Sequence, residues 1–200
     1  MLRILAFSDL HRNKDTAARI VAASRNADVI VGAGDFATRG VGLSDTLNIL
    51  VASDAPLLVV SGNHDPSEEL RAVCEAVPHF TYLDENCVSI GDQTFFGIGR
   101  EIPFQKDAGW NEAYSETQAR ELLKDVPHRA ILISHAPPFG LVDLQPDGRH
   151  QGSKALLETI ENKSPLFHLC GHIHYCNGKS TTCSKTKVMN LGPSLTWIDC

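Results

Sequence analysis

Five short clusters of polar residues each follow a short apolar run, and this arrangement limits the fold more than any other feature. The clusters are Asp9-Leu10-His11, Gly34-Asp35, Gly62-Asn63-His64-Asp65, Ser134-His135-Ala136-Pro137-Pro138 and Gly171-His172-Ile173-His174. The apolar runs before them have the length and composition of buried strands. In an open α/β sheet, ligands bind in the crevice beyond the carboxyl ends of the strands. We therefore expect these clusters, although they are distant in sequence, to meet at one site.

Strand and helix patterns alternate along the first part of the chain, which favours βαβ units and a parallel sheet. The predicted strands are 2–7, 28–31, 57–60, 80–83, 87–90, 94–98, 129–133, 166–169, 187–191 and 195–198. The predicted helices are 16–24, 43–52, 66–76, 112–123 and 153–160. Ser44 is expected to cap the second helix, and Pro66 to be the first helical residue of the third. Gly91-Asp92 predicts a hairpin turn, and the last two strands are expected to form a closing β pair.

Composition indicates an ordinary globular chain, and it limits the compartment and the partners. The 200 residues suit one domain over 1–200, and an apolar content of 42% is enough for a buried core. A net charge of −6 disfavours a basic nucleic-acid-binding surface. No segment approaches the roughly 20 apolar residues of a membrane span, and the first residues lack a signal-peptide pattern. We expect a cytoplasmic protein.

The six cysteines follow no disulfide-scaffold spacing, so they are expected to be free thiols in a reducing compartment. Cys170, Cys176 and Cys183 flank the last polar cluster. A thiolate zinc site there is an alternative, although these spacings fit no common zinc motif.

The five clusters, in this order, resemble the calcineurin-like metallophosphoesterase superfamily from Asp9 to His174. The resemblance implies an α/β four-layer sandwich of two mixed β-sheets flanked by helices. It also implies two metal ions. The ligands of one ion would be Asp9, His11, Asp35 and His174; those of the other would be Asp35, Asn63, His135 and His172, with Asp35 bridging. His64 would stay off the metals as a catalytic residue near the leaving group, and Asp65 would orient the turn or His64.

This donor set of imidazoles, carboxylates and one amide suits Mn, Fe or Zn better than Mg or Ca. Two closely spaced metals are a standard device for phosphate ester hydrolysis. The expected nucleophile is a hydroxide that bridges the metals. A protonated His64 would give a proton to the leaving group, or His64 would simply donate a hydrogen bond to phosphate.

Two longer segments resemble a narrower group related to class III cyclic-nucleotide phosphodiesterases: Ser134-His135-Ala136-Pro137-Pro138-Phe139-Gly140, and His150-Gln151-Gly152-Ser153 before a helix. The resemblance implies hydrolysis of a small phosphodiester, a nucleotide among the candidates. Gly34 to Gly40 lacks the second Asp usual in phosphoprotein phosphatases, and Tyr175 stands where the narrower group often has Glu. A phosphomonoesterase, a nuclease and a non-catalytic scaffold remain alternatives. A scaffold is expected to lose ligands, and here every ligand position is filled.

Candidate substrate contacts are Arg12, Arg39, Arg100 and His150, because guanidinium groups bind phosphate in a forked geometry. The alternative for each Arg is a solvated surface position. Trp110 would pack in its loop or stack on a base, and the first interpretation is favoured. The segments 99–111 and 137–151 are predicted to be long loops beside the metal clusters, where functional loops are common.

Overall fold

Two mixed β-sheets pack face to face, and helices cover their outer faces, so the predicted four-layer architecture is confirmed. The computed structural model describes residues 1–200. The strands are β1 (Arg3–Phe7), β2 (Val29–Ala33), β3 (Leu57–Val60), β4 (Phe80–Tyr82), β5 (Asn86–Ile90), β6 (Gln93–Ile98), β7 (Ile131–Ser134), β8 (Phe167–Cys170), β9 (Ser180–Cys183), β10 (Thr186–Asn190) and β11 (Thr196–Asp199). The helices are α1 (Lys14–Ser24), α2 (Ser44–Leu50), α3 (Ser67–Ala76), α4 (Glu116–Leu122) and α5 (Lys154–Lys163).

Each sheet has a parallel centre and antiparallel strands at its margins. The first sheet has the order β11-β1-β2-β3-β4, in which only β11 is antiparallel to its neighbour. The second has the order β5-β6-β7-β8-β10-β9, and its two edge strands β5 and β9 are antiparallel to their neighbours. The parallel strands β1, β2, β3, β7 and β8 therefore send their carboxyl ends to a common edge of the sandwich.

The prediction that the last two strands pair with each other is wrong. β10 pairs in parallel with β8, whereas β11 crosses to the first sheet and pairs antiparallel with β1. The hydrophobic pattern located both strands, but it carries no information about which neighbour completes each strand's hydrogen bonds. β9 was missed because its sequence, Ser-Thr-Thr-Cys, is polar and lies at a sheet edge.

Apolar side chains fill three interfaces between the four layers. The layer between the sheets contains residues such as Ile4, Val31 and Ile133. The opposite face of the first sheet packs against α1, α2 and α3, and the outer face of the second sheet packs against α4 and α5. Parallel strands that are buried on both faces read as continuous apolar runs, which is why these strands were visible in the sequence.

The five helices begin one to four residues away from the starts that the sequence pattern indicated. Ser44 is the first helical residue of α2 and not its cap, and Pro66 occupies the cap position of α3 rather than its first turn. A proline offers no side-chain acceptor there, and Glu112 from the loop after β6 accepts the Ser67 amide instead. Glu112 therefore lies outside the predicted helix, and α4 begins after a capping box built by Ser115.

No helix combines the length and the apolar content that crossing a membrane requires. All six cysteines are free, as predicted.

Candidate metal centre

The five polar clusters meet at the edge where β1, β2, β3, β7 and β8 end. Asp9, Asp35 and Asn63 follow β1, β2 and β3 of the first sheet, and His135 and His172 follow β7 and β8 of the second. Asp9, Asp35, Asn63 and His135 are buried. The convergence expected from strand ends alone is therefore present in the structure.

The backbone turns sharply at several of these residues. Asp9, His11, Asp35 and His172 have φ values of 55°, 44°, 58° and 68°, in the left-handed region that favours glycine. A non-glycine residue in this region costs on the order of 1 kcal/mol or more, and such strain collects at functional sites. The turns are held by backbone hydrogen bonds, including those from Asp9 N to Gly34 O and from His11 N to Asp35 O.

Asp65 fixes the turn that carries Asp35. Its fully buried carboxylate accepts the amide protons of Asp35 at 2.8 Å, Ala37 at 2.7 Å and Gly62 at 2.8 Å. Burial, followed by the nearby charge of Asp35, raises the pKa of Asp65 to about 7. Of the two roles considered for Asp65, orienting the turn is the one that its contacts support.

The Asp35 carboxylate lies between two imidazoles. Its Oδ2 is 3.4 Å from His11 Nε2 and 3.4 Å from His135 Nε2, while its Oδ1 accepts the His64 amide proton at 3.0 Å. The opposite nitrogens, Nδ1 of His11 and Nδ1 of His135, contact backbone carbonyl oxygens at 3.2 and 2.9 Å. Since a carbonyl only accepts, each Nδ1 carries a proton, and each Nε2 faces Asp35 Oδ2.

A ring nitrogen that faces a carboxylate oxygen needs a cation between the two atoms. At His135 a proton takes this place in the metal-free protein, and the same donor chemistry fits a metal on each side of Asp35 Oδ2. On one side, His11 Nε2 lies 3.2 Å from His174 Nε2, and His174 Nε2 lies 3.6 Å from Asp9 Oδ1. The donor atoms of Asp9, His11 and His174 all lie within 4.8 Å of one another. Asp9, Asp35 and His135 form a second group by the same measure, so Asp9 reaches both groups.

Asn63 and His172, the remaining predicted ligands, lie at the second group with different orientations. Asn63 Oδ1 is 3.2 Å from His135 Nε2, which suits two donors to one ion. The His172 ring lies 5.0 Å from the His135 ring, and its backbone amide donates to Asp9 Oδ1 at 3.0 Å. The His172 Nε2 atom is 3.6 Å from Glu101 Oε1.

Glu101 is a site residue that the sequence analysis missed, together with Asn111, which donates to Glu101 Oε2 at 2.8 Å. Both lie in the segment predicted as a loop, where no apolar run or short motif marks them. Burial would raise the pKa of Glu101, but hydrogen bonds from His172 and Asn111 lower it below its ordinary value. The only sequence signal for Glu101 and Asn111 was the position of their loop directly after a strand of the second sheet, β6.

The centre is strongly anionic. Burial opposes ionisation of Asp9 and Asp35, yet contacts with the surrounding histidines hold the pKa of both carboxyl groups below the ordinary value. Burial would likewise lower the pKa of His135, but the charge of Asp35 raises it to about 10. A pocket that retains two buried carboxylates and holds a proton this tightly is suited to bind cations.

His64 lies beside the centre with its ring 5.0 Å from that of His11 and 4.4 Å from that of Trp110. The Arg39 amide donates to His64 Nδ1 at 2.8 Å, so this nitrogen is an acceptor and the ring proton is on Nε2. Burial lowers the pKa of His64. The neutral, hydrogen-bond-donating form is therefore the one this geometry supports. Trp110 packs against the ring of His64, a contact that neither interpretation of Trp110 from the sequence included.

The four candidate substrate contacts differ in how freely they can reach a ligand. Arg12 pairs with Asp45 at 2.8 Å. Arg100 donates to Glu112 Oε2 at 3.0 Å, to the Tyr114 hydroxyl and to Ser67 Oγ, so its guanidinium is engaged within the protein. That arrangement gives Arg100 a structural role in place of the expected substrate contact.

Arg39 and His150 each line a cavity. The exposed Arg39 borders a cavity of about 320 Å³ together with Trp110. His150 borders one of about 390 Å³ with Phe139 and Lys154. Its Nδ1 lies 2.6 Å from Oδ1 of the fully buried Asp143, which fixes the ring and leaves Nε2 available.

The thiolate alternative finds no support in the side-chain arrangement. Cys170 and Cys176 are buried, Cys183 is half-buried, and the groups of side chains close enough to share a metal contain only Asp and His. Burial raises the pKa of the Cys170 thiol well above its ordinary value, which disfavours a thiolate at this position.

Comparison with known proteins finds relatives of the chain. A family model described as calcineurin-like phosphoesterase matches residues 2–176. A UPF0046 protein of Caenorhabditis elegans is 28% identical in an alignment of 203 positions. The alignment covers 88% of this chain and 65% of that protein. A protein of Arcobacter nitrofigilis named "Probable glycerophosphodiester phosphodiesterase GpdQ" is 24% identical, over 74% of this chain and 56% of that protein. The chain thus spans less than two thirds of the length of these two relatives.

Among solved structures, the crystal structure of TT1561 of Thermus thermophilus superposes with a TM-score of 0.76. The superposition covers 99% of this chain and 98% of that one at 21% identity. At this level of identity the likeness establishes the shared fold.

Proposed function

The chain belongs to the calcineurin-like phosphoesterase family, and we propose that it is a metal-dependent phosphodiesterase with a two-metal centre. The observation that carries the proposal is the position of Asp35 Oδ2, 3.4 Å from the Nε2 atoms of both His11 and His135. A carboxylate oxygen placed between two sets of nitrogen donors matches the bridging group of a two-metal site.

The proposed ligands divide between two ions. Asp9, His11, Asp35 and His174 would hold the first; Asp35, Asn63, His135 and His172 would hold the second. When bound, the two ions would supply positive charge for the phosphoryl oxygens and an activated water as nucleophile. Mn, Fe and Zn are the metals that this mixture of imidazole and carboxylate donors favours.

The protein's own groups would bind and orient the ester. His64 would donate its Nε2 proton as a hydrogen bond to a phosphoryl or leaving-group oxygen, because its Nδ1 is occupied by the Arg39 amide. Trp110 packs 4.4 Å from the His64 ring and limits its rotation. The Arg39 guanidinium, which has no ion-pair partner, would contact the phosphate from the same side.

A second ester arm has a candidate place in the cavity bordered by Phe139, His150 and Lys154. Its lining includes residues of the loop that follows the proposed ligand His135 and of the segment that follows Glu101. Lys154 lies over the Phe139 ring at 5.5 Å and has no carboxylate partner. An arm with an aromatic ring, as in a nucleotide, or with hydroxyl groups would match this lining.

The experiment is a hydrolysis screen with the protein reconstituted in Mn²⁺, Fe²⁺ or Zn²⁺. Bis-p-nitrophenyl phosphate, cyclic nucleotides and glycerophosphodiesters would be compared with p-nitrophenyl phosphate and nucleoside monophosphates. We expect turnover of diesters to exceed that of monoesters and to vanish with chelator. Preference for monoesters would replace the proposal with a phosphomonoesterase, and no metal-dependent turnover of any ester would favour a non-catalytic scaffold.

The proposal includes two points of context. The chain acts as one domain over residues 1–200, and the protein is cytoplasmic. The six free thiols support a reducing compartment.

A further inference from the structure

Glu101 is a buried carboxylate that the seven-ligand centre does not include. It is 7% exposed, and its Oε1 lies 3.6 Å from His172 Nε2. Its Oε2 accepts a hydrogen bond from Asn111 Nδ2 at 2.8 Å. Carboxylates are almost never this buried unless they are paired, and here both oxygens have a specific partner.

Asn111 links Glu101 to a second proposed ligand, Asn63. Its Oδ1 accepts a hydrogen bond from Asn63 Nδ2 at 2.7 Å. Because the Asn63 amide nitrogen is used in this way, its Oδ1 faces the centre, 3.2 Å from His135 Nε2. Asn111 therefore determines which end of the Asn63 amide a metal meets. Glu101 orients Asn111 together with the Lys106 carbonyl oxygen, which accepts from the same Asn111 nitrogen at 3.0 Å.

The loop that holds this pair is tied to the ligand turn by its backbone. The Glu112 amide donates to Asn63 O at 3.1 Å, and Glu101 exchanges backbone hydrogen bonds with Glu112 and Tyr114 at 3.0 and 2.8 Å. Glu101 and Asn111 are consequently held in register with Asn63.

The ligands reached by this pair are His172 and Asn63, which belong only to the proposed second ion. The side chains of Glu101 and Asn111 make no hydrogen bond or ion pair with the bridging Asp35 or with the ligands of the first ion. Partners that hold metal ligands in this way typically contribute about 10–100-fold to metal affinity.

We propose that Glu101 and Asn111 form a positioning pair that sets the affinity of the second metal site and leaves the first unchanged. The inference rests on the proposed two-metal centre. It identifies two positioning residues in a segment that contains none of the predicted ligands.

The test is a titration of metal-free protein with Mn²⁺ by calorimetry, with bound metal counted by elemental analysis after dialysis. The variants are Glu101→Gln, which keeps the side-chain size and removes the charge, and Asn111→Ala. Glu85→Gln is the matched control, since Glu85 is half-buried and accepts from Tyr114 at the other end of the same loop.

We expect wild type and Glu85→Gln to bind two ions per chain. Glu101→Gln and Asn111→Ala should bind one ion with wild-type affinity and the other about 10–100-fold more weakly. The melting temperature of the metal-free variants should stay close to that of the wild type, which separates positioning from a general structural role. Raising the Mn²⁺ concentration should restore turnover of the two variants over the same concentration range in which their weaker site fills.

Unchanged titration of both variants would overturn the inference and leave the phosphodiesterase proposal standing. Equal weakening of both ions, or a lowered melting temperature in the metal-free state, would overturn it in favour of loop stability. A two-ion wild type that hydrolyses no ester would overturn the proposed function while the positioning pair remains supported by the titration. A wild type that binds a single ion would overturn both.

Discussion

The two sheets supply the centre with different chemistry. The first sheet contributes the oxygen donors Asp9, Asp35 and Asn63 together with one imidazole, His11. The second contributes imidazoles only, those of His135, His172 and His174. Both carboxylates among the proposed ligands therefore come from one side of the sandwich, and the other side adds only Glu101, which is not a proposed ligand.

The sheets also differ in how they hold their side chains. Three of the four left-handed residues among the candidate ligands, Asp9, His11 and Asp35, belong to the first sheet, and the buried Asp65 fixes the Asp35 turn through three amide protons. On the second sheet, His135 is oriented by a bond to the Ala33 carbonyl, and His172 by Asp9 and Glu101. The turns of Asp9, His11 and Asp35 are therefore fixed within the first sheet, whereas His135 and His172 depend on Ala33 and Asp9 from across the sandwich. Asn63 is the exception in the first sheet, since Asn111 holds its amide.

The largest expected difference is between a bridging ligand and a terminal one. Asp35→Ala should remove both ions and abolish detectable turnover, because its Oδ2 lies 3.4 Å from one nitrogen of each proposed ligand set, His11 Nε2 and His135 Nε2. His174→Ala should mainly weaken one ion, by more than the roughly 10–100-fold typical of losing an outer partner. Elemental analysis after reconstitution with Mn²⁺ measures both, and one tightly held metal per wild-type chain would contradict the two-ion arrangement.

The next largest effect concerns His64, which directly follows the proposed ligand Asn63 but is not itself a proposed ligand. His64→Ala should leave metal content near the wild-type level and lower turnover by about 10²–10³-fold, the usual cost of one transition-state donor. A neutral donor predicts a similar loss for aryl and alkyl leaving groups. A loss confined to the poorer, alkyl leaving groups would indicate that His64 acts as an acid, and loss of metal would mean that it is a ligand.

Much of this arrangement could be predicted from sequence, for a physical reason. Buried parallel strands are continuous apolar runs, and the donors follow them directly, so Asp9, Asp35, Asn63, His135 and His172 could be located as a set. Glu101 and Asn111 could not, since they reach the centre through a loop whose path depends on tertiary contacts. Strand partners were equally hidden: β10 and β11 were visible, but their membership of different sheets depends on which edges are open.

The structure also resolved choices that residue types left open. The sequence allowed His64 to be an acid or a donor, and only the Arg39 amide on Nδ1 favours one of them. Arg100 was a reasonable phosphate contact by type, but Glu112, Tyr114 and Ser67 engage its guanidinium. Hydrogen bonds between distant segments decide such roles, and no local pattern encodes them.

A stability measurement tests whether Asp65 holds the first-sheet turns. Asp65→Asn replaces a carboxylate oxygen with a donor that faces amide protons, so the free energy of unfolding should fall by about 3 kcal/mol. Asp45→Asn is the matched control on the same side of the molecule, where an ion pair with Arg12 is largely solvated; its loss should cost about 0–1 kcal/mol. Urea unfolding of metal-free protein measures both, and equal values would remove the special role of Asp65.

The corresponding test on the second sheet uses His168, which is buried in β8 with Nε2 2.6 Å from Ser134 Oγ, next to the ligand His135. Burial lowers the pKa of His168 from its ordinary value of 6.5 to about 3. Below about pH 6.5 the unfolded chain therefore binds a proton that the folded chain excludes, and stability falls as pH falls toward 3. The slope from this group is about 1.4 kcal/mol per pH unit.

His168→Gln should remove that contribution, so its urea-unfolding free energy should decline less between about pH 6.5 and pH 4 than that of the wild type. His128→Gln, at an exposed position, is the control and should keep the wild-type slope. Parallel slopes for wild type and His168→Gln would show that His168 is protonated in the folded protein.

The smallest expected effect concerns the loops of the second sheet that border the proposed arm cavity. His150 presents Nε2 to that cavity because Asp143 holds Nδ1, whereas Arg100 is engaged within the protein. His150→Ala should therefore change the ratio of kcat/KM between two diesters with different arms by about fivefold, the worth of one net hydrogen bond of about 1 kcal/mol. Arg100→Ala should lower stability by releasing Glu112 and leave that ratio unchanged, while both variants retain wild-type metal content. The reverse pattern, with Arg100 controlling the ratio and His150 without effect, would move the substrate arm to the first-sheet side of the centre, beside Arg39 and Trp110.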